Sequence, residues 1–336
     1  MKLKVGLIGA GGFGNIHLSG YTKNNYCQLV AVASGTKKSA TLASEKYNIP
    51  GVYWGDDWKR MLENENLDIV SICSPNYLHA EMTIEAIKHN CNILCEKPIA
   101  ISYQELNNIE MMLRKSNLIY FTSFQKRYNP CLPYAKSVIE NNAIGEINFV
   151  RHIFSHYGPY TSWKPLSQEK WFFNADKAGG GVLMDLGVHS IDLLRYLVGE
   201  YSKVEGFSYN TSCKDIVNED NCSVLIRFLN DVLGVITVSW CNEPSDVIEI
   251  YGTKGMLKID LHSREPISFK PKILKKNQYI KMFWKKDYSQ NKIGQHLLID
   301  HFINSVISKK QEQPDFIDGK RAVEFVLEAY SKKNSR

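Results

Sequence analysis

Two short constellations in this chain have residue types and spacings suited to handling a proton. The first is Cys95-Glu-Lys-Pro98, which closes a short apolar run. Lys97 offers a cation at the end of a strand, and Pro98 confines the residue before it to extended geometry, which fixes the direction of the lysine. The second is Asp185-Leu-Gly-Val-His189. Residues four apart share one face of a helix, and Asp192 extends that face. Gly179, Gly180 and Gly181 lie just before it and let a helix begin close against another backbone. A carboxylate one turn from an imidazole orients the ring and favours its cation, and an ordinary histidine pKa of about 6.5 suits proton transfer near neutral pH. By residue type alone, Lys97 is a surface lysine paired with Glu96, and by spacing alone Asp185 with His189 reads equally well as a capping or buried hydrogen-bonded pair. What separates these readings is the set of elements that carry the residues.

The carrying elements begin at the first residues. Val5, Leu7 and Ile8 form a short buried strand, and Ile16, His17 and Leu18 resume a helical pattern. Between them Gly9, Gly11 and Gly14 fall as G-x-G-x-x-G. In a strand–turn–helix context the first glycine permits the turn, the second admits a pyrophosphate, and the third lets helix and strand pack. The helix start presents N–H groups and a positive dipole end to phosphate. Gly9, Gly11, Gly12, Phe13 and Gly14 are therefore candidate dinucleotide contacts. Alternation then continues. Strands are predicted at residues 2–8, 28–33, 68–72, 92–95 and 118–122, and helices at 12–23, 38–47, 57–63, 77–89 and 102–114. The apolar runs are short and rich in Val, Ile and Leu, as befits parallel strands covered on both faces. The pattern predicts an α/β fold with an N-terminal doubly wound Rossmann sheet.

Ligands bind beyond the carboxyl ends of such strands. Those ends are residues 9–12, 34–38, 74–79 and 96–98, so Lys97 falls in the cofactor cleft. Dinucleotide-binding chains commonly carry Asp or Glu about 20 residues on for the ribose hydroxyls. Here the stretch is Ala33-Ser-Gly-Thr-Lys-Lys38. Without a carboxylate, Ser34, Gly35, Thr36, Lys37 and Lys38 can accommodate a 2′-phosphate, which favours NADP; if Lys37 and Lys38 merely begin a solvated helix, NAD binds.

Beyond residue 122 the pattern changes, with a hinge near Ser123. Pro130 starts a helix to about residue 141, and a strand is predicted at 147–154. Residues 156–176 are irregular and aromatic. A helix covers 193–198, strands fall at 203–209, 222–228, 233–240, 247–251 and 256–260, and helices close the chain near 294–307 and 319–332. Consecutive strands imply a second α/β domain with a large, mostly antiparallel open sheet. The predicted domains are residues 1–122 and 123–336.

The 336-residue length suits two domains, and 44% hydrophobic with 23% charged residues is an ordinary globular composition. No apolar run approaches the roughly 18 residues of a membrane span, and Met1 leads straight into the first strand, so the expected setting is cytoplasmic. The eight cysteines contain no C-x-x-C pair, which points to reduced thiols and no metal site. The net charge of +6 is modest. Lys270, Lys272, Lys275, Lys276, Lys281, Lys285 and Lys286 alternate with Tyr279, Phe283 and Trp284. A solvated sheet face explains this better than nucleic acid, and attraction of an anionic substrate lies between the two.

Together these parts match hydride transfer to or from an alcohol: His189 as base, Asp185 as its orienter, Lys97 as the cation for a developing alkoxide. The glycine turn, Glu96-Lys97-Pro98 and Asp185-x-x-x-His189, in this order and at these intervals, resemble the glucose–fructose oxidoreductase/inositol dehydrogenase/rhizopine-catabolism (Gfo/Idh/MocA) family over essentially the whole chain. The resemblance implies that Lys97, Asp185 and His189 are the catalytic set and that substrates are sugars, cyclitols or nucleotide sugars. It implies NADP or NAD contacts at Gly9, Gly11, Gly14, Ser34, Ser74, Pro75, Asn76, His79, Glu96 and Lys97. It also implies a homodimer or homotetramer through the outer face of the C-terminal sheet. Arg127, His156, Tyr157, Trp163, Trp171 and Asp192 are substrate candidates beside Lys97, Asp185 and His189, since flat rings suit the apolar faces of a sugar. A non-catalytic NAD(P)-binding sensor of the same fold is the competing expectation. Retention of all three catalytic positions argues against it.

Overall fold

A computed structural model describes residues 2–161, 171–212, 218–271, 280–282 and 291–332. The chain forms two compact units, Met1–Gln125 with Lys292–Val323, and Lys126–Asn291 with Glu324–Arg336. The first unit thus runs on past Ser123 to Gln125 and takes back a segment from the far end of the chain.

In the first unit, strands β1 (Leu3–Ile8), β2 (Cys27–Ser34), β3 (Gly51–Trp54), β4 (Ile69–Ile72), β5 (Asn92–Cys95) and β6 (Tyr120–Thr122) alternate with helices α1 (Gly12–Lys23), α2 (Lys37–Tyr47), α3 (Trp58–Asn64), α4 (His79–Lys88) and α5 (Tyr103–Leu113). The sheet order is β3-β2-β1-β4-β5-β6 and every neighbouring pair is parallel. The order reverses between β1 and β4, which is the switch point where a dinucleotide binds. Val5, Leu7, Ile69, Val70, Ile72, Ile93 and Leu94 are fully buried, as strands covered on both faces require. The sequence pattern did not give β3, because this edge strand has no buried residue to mark it.

The second unit holds β7 (Ile147–Ser155), β8 (Tyr201–Asn210), β9 (Asn221–Phe228), β10 (Leu233–Ser239), β11 (Ser245–Gly252), β12 (Gly255–Asp260), β13 (Ile267–Pro271) and β14 (Ile280–Met282). Its sheet runs β14-β13-β12-β11-β7-β10-β9-β8, antiparallel throughout except for the parallel pair β7–β10. Val150, His152 and Phe154 of β7 alternate with exposed Arg151 and Ile153, so one face is buried and one is open. Helices α6 (Cys131–Glu140) and α9 (Val188–Val198) pack against each other, and α9 against β7. The aromatic stretch contains two single-turn helices, α7 (Gly158–Thr161) and α8 (Ala175–Ala178). Helices α10 (Asn291–Ser308) and α11 (Phe316–Ser331) close the chain. Trp163 and most of the basic stretch, Lys272, Lys275, Lys276, Lys285 and Lys286 with Tyr279, Phe283 and Trp284, lie outside the described residues. Among the described residues no helix is long and apolar enough to cross a membrane.

Candidate active site

The first unit carries its candidate residues at strand ends. Gly9 has φ of +101°, and a Cβ there would lie 2.4 Å from the Cys73 carbonyl. A Cβ on Gly14 would lie 1.9 Å from the Gly9 oxygen, so only glycine lets α1 and its strand come this close. Gly11 and Gly12 differ, since a Cβ on either would meet open space. Neither is required by protein packing. Their bareness instead leaves room at the start of α1, where no side chain caps the helix. Uncapped N–H groups facing open space fit a pyrophosphate, and Phe13 is exposed beside them.

At the end of β2, Ser34 is buried and its Oγ accepts from Ser39 Oγ at 2.8 Å. Thr36 caps α2, accepting from Ser39 N at 3.2 Å. Three hydroxyls thus gather at this helix start beside a bare Gly35 and an exposed Lys38, while Lys37 lies 5.0 Å from the centre of the Trp54 ring. After β4, Ser74 and Pro75 lead into a 3-10 turn with Asn76 buried. His79 is also buried, with Nδ1 2.7 Å from the Pro98 oxygen and Nε2 2.8 Å from the Ser74 oxygen. Burial lowers its pKa against the pull of those two carbonyls. Its ring therefore braces the loop after β4 against the loop after β5. Lys97 is half-buried. Glu96 beside it is buried and bonded to His17 and Ser123, so it is no simple surface partner for the lysine.

The second unit carries Asp185, His189 and Asp192 on one helical segment. A Cβ on Gly180 would lie 2.1 Å from the Tyr330 hydroxyl, and one on Gly181 2.1 Å from the Glu219 main-chain oxygen. These glycines let the chain press against Glu219 as the sequence led us to expect. Val182 N donates to the Glu219 oxygen at 2.9 Å, and Tyr330 donates to its carboxylate at 2.6 Å. The next residues, Leu183–Gly187, form a π-helical turn that continues into α9. The single α-helix expected over Asp185 and His189 is therefore wider at its first turn. Such turns are frequent at functional sites.

Asp185 and His189 are both buried. The Trp240 indole N–H donates to Asp185 Oδ2 at 3.0 Å, and Phe172 packs on the indole with ring centres 5.2 Å apart. Phe154 meets the His189 ring edge-on at 6.4 Å and the His156 ring at 5.9 Å. Arg127 and Asp192 form a two-pronged buried ion pair, Nε to Oδ2 at 2.9 Å and Nη2 to Oδ1 at 2.6 Å. This pair clips the turn at residues 125–128 to α9. Tyr157 is exposed and bonded to Glu243, and Trp171 is half-buried against Phe172.

Several groups here had no legible signal in the sequence. Lys126 forms a buried ion pair with Asp246 and sits 3.7 Å from the centre of the Phe154 ring. His152, fully buried, places Nε2 2.9 Å from Asp246 Oδ1. Burial alone would raise the Asp246 pKa, yet Lys126 and His152 hold it far below the usual carboxylate range. Burial lowers that of His152, opposed by Asp246. The only hint was Lys126 lying next to Arg127. Trp240 ends an alternating strand, a position that reads equally well as core. Among the described residues no group of three metal-ligating side chains gathers, and seven cysteines are free thiols.

Comparison with known proteins places this geometry. A family model for the "Oxidoreductase family, NAD-binding Rossmann fold" of Gfo/Idh/MocA proteins matches residues 3–124, and the GFO/IDH/MocA C-terminal domain matches residues 133–258. Levoglucosan dehydrogenase of Pseudarthrobacter phenanthrenivorans is 28% identical over 302 residues, 79% of this chain and 75% of that protein. Myo-inositol 2-dehydrogenase of Thermotoga maritima is 26% identical over 268 residues, 77% and 75% of the two chains. A solved levoglucosan dehydrogenase in complex with NADH shares the fold with a TM-score of 0.86 at 24% identity, over 99% of this chain and 98% of that one. The chain belongs to the Gfo/Idh/MocA oxidoreductase family, and residues 3–124 are that family's NAD-binding Rossmann domain.

Proposed function

We propose that this enzyme moves a hydride between NADP and a secondary hydroxyl carbon of a sugar, cyclitol or nucleotide sugar, using Lys97, Asp185 and His189. A bound nicotinamide supplies the hydride acceptor in the oxidative direction. His189 takes the hydroxyl proton, Asp185 sets the orientation of its ring, and the Lys97 ammonium stabilises the developing alkoxide. The observation that carries this reading is the anchoring of Asp185 by Trp240 one turn before His189. A carboxylate so held from behind keeps its other oxygen in a fixed direction, which a general base and its orienter need.

Levoglucosan and myo-inositol in the names of relatives support a polyol substrate. Tyr157, Trp171 and His156 offer flat rings and polar tips for it, and Trp163 remains a candidate beside them. Arg127 and Asp192, bound to each other, act as the brace of α9. The hydroxyls of Ser34, Thr36 and Ser39, with no carboxylate at the end of β2, favour the 2′-phosphate of NADP over NAD. Exposed Ile153, Leu225 and Leu233 on the open sheet face support assembly through that face as a dimer or tetramer. The deciding assay mixes purified protein with NADP or NAD and a panel of sugars, cyclitols and nucleotide sugars, and follows the reduced-nicotinamide absorbance. Turnover with one of them is expected. Cofactor binding with no turnover on any would favour the sensor.

A further inference from the structure

Glu96 carries a charge that has no part in the proton handling above. The residue is 6% exposed. Oε1 lies 2.9 Å from His17 Nε2 and accepts from Ser123 Oγ at 2.7 Å, while Oε2 accepts from Lys97 N at 3.3 Å. The partners are themselves braced. His17 Nδ1 lies 2.7 Å from Ser71 Oγ, and Gln295 Nε2 lies 2.7 Å from His17 Nε2 and donates to Ser123 Oγ at 2.9 Å. Thus α1, β4, α10 and the ends of β5 and β6 each contribute one buried polar side chain to a single network. A buried carboxylate is expensive unless hydrogen-bonded, and five elements would not converge on a glutamate whose only task was to fill space.

Placement gives the charge a purpose. In the order β3-β2-β1-β4-β5-β6, the end of β2 meets the adenosine ribose, and the other nucleotide half lies over β4 to β6. Glu96 directly follows β5 in that half. An oxidised nicotinamide ring is a cation and a reduced one is neutral. A fixed anion in poorly screened surroundings favours the cation, and the neighbouring Lys97 ammonium opposes it.

We propose that buried Glu96, hydrogen-bonded to His17 and Ser123, sets the preference of this enzyme for oxidised over reduced nicotinamide cofactor. The inference rests on the cofactor reading given under Proposed function. Burial would raise the Glu96 pKa, but the bond and charge of His17, the bond from Ser123 and the charge of Lys97 bring it below its ordinary value, so the charge is present near neutral pH.

The test is equilibrium binding without substrate, by calorimetry, with NADP+ and NADPH measured separately. Glu96→Gln keeps the shape and removes the charge. It should weaken the oxidised form about tenfold more than the reduced form. Glu96→Asp, which keeps the charge, should return most of the ratio. Lys97→Met, at a half-buried position, should move the ratio the opposite way. Equal weakening of both forms by Glu96→Gln, or a ratio unmoved by Lys97→Met, overturns the proposal. If the wild type binds neither form, the cofactor reading falls with it; if it binds both and the ratio resists these changes, only this proposal falls.

Discussion

In the first unit the chemistry-bearing groups stand at the carboxyl ends of adjacent parallel strands, and main chain does much of the holding. In the second they stand on one helix and are gripped by side chains far away in sequence. Gly9 and Gly14 admit backbone against backbone, and bare Gly11 and Gly12 leave space for a ligand. Asp185, by contrast, is fixed by an indole 55 residues on, and Asp192 by a guanidinium 65 residues back. Main-chain chemistry leaves a motif, because close approach demands glycine at set spacings. Side-chain chemistry across a sheet leaves none, because any distant residue can bring the partner. Close backbone approach can be read from the spacing of glycines; the partners that hold Asp185 and Asp192 cannot.

The largest effect should come from removing the reacting groups themselves. His189→Ala should lower kcat by roughly 10³-fold near neutral pH, within the range general bases contribute. Pre-steady-state hydride transfer checks this, and a rate within threefold of wild type would assign the proton to another group.

The brace of α9 is a stability matter, and cutting it separates architecture from chemistry. Asp192→Ala removes the two-pronged carboxylate partner of buried Arg127, which should cost about 3–5 kcal/mol in denaturant unfolding. A loss under about 1 kcal/mol would mean solvent reaches that guanidinium.

Trp240→Phe keeps an aromatic side chain but removes the N–H on Asp185 together with part of the buried indole's volume. Loss of a hydrogen bond to a charged group is worth about 1.5–3 kcal/mol, so kcat should fall roughly tenfold to a hundredfold with KM little changed. A rise in KM alone would make Trp240 a substrate wall. In the first unit, Ser34→Asp should weaken NADP about tenfold and leave NAD within twofold, since the new carboxylate opposes a phosphate and suits ribose hydroxyls. Equal effects on both would place the adenosine ribose elsewhere.

The smallest effect is in pH. Burial keeps His152 less basic than when unfolded. The folded state then binds fewer protons, so this stabilisation is complete above the unfolded value of about 6.5 and is lost as pH falls below it. The depressed Asp246 contributes in the same direction but later, being lost as pH falls below its unfolded value of about 3.9. Melting temperature should therefore decline in two stages on acidification. His152→Gln should shrink the first stage without abolishing it, because burial also lowers His79 and His301 in the first unit. An unaltered first stage would exclude His152.

How much of this was legible follows the same division. The alternation, the sheet class and the glycine turn could be read because buried parallel strands and phosphate turns constrain residue type over short spans. The strand β3 could not, since an edge strand with no buried position has no apolar signature. Lys97, Asp185 and His189 were marked by spacing, and Asp192 by the helical repeat. Trp240 beside Asp185, His17 and Gln295 in the network of Glu96, and the Lys126–Asp246 pair were not. Each is an ordinary member of its own helix or strand, and gains its role only when the sheet brings it beside a charge.

The account stands or falls on whether Lys97 of one unit and His189 of the other serve one reaction step. Single-turnover hydride transfer in Lys97→Ala, His189→Ala and the double variant tests this directly. Groups acting as a set are strongly non-additive, so the double variant should be little slower than the slower single variant. Losses that multiply in full would show two independent contributions and contradict the proposed mechanism.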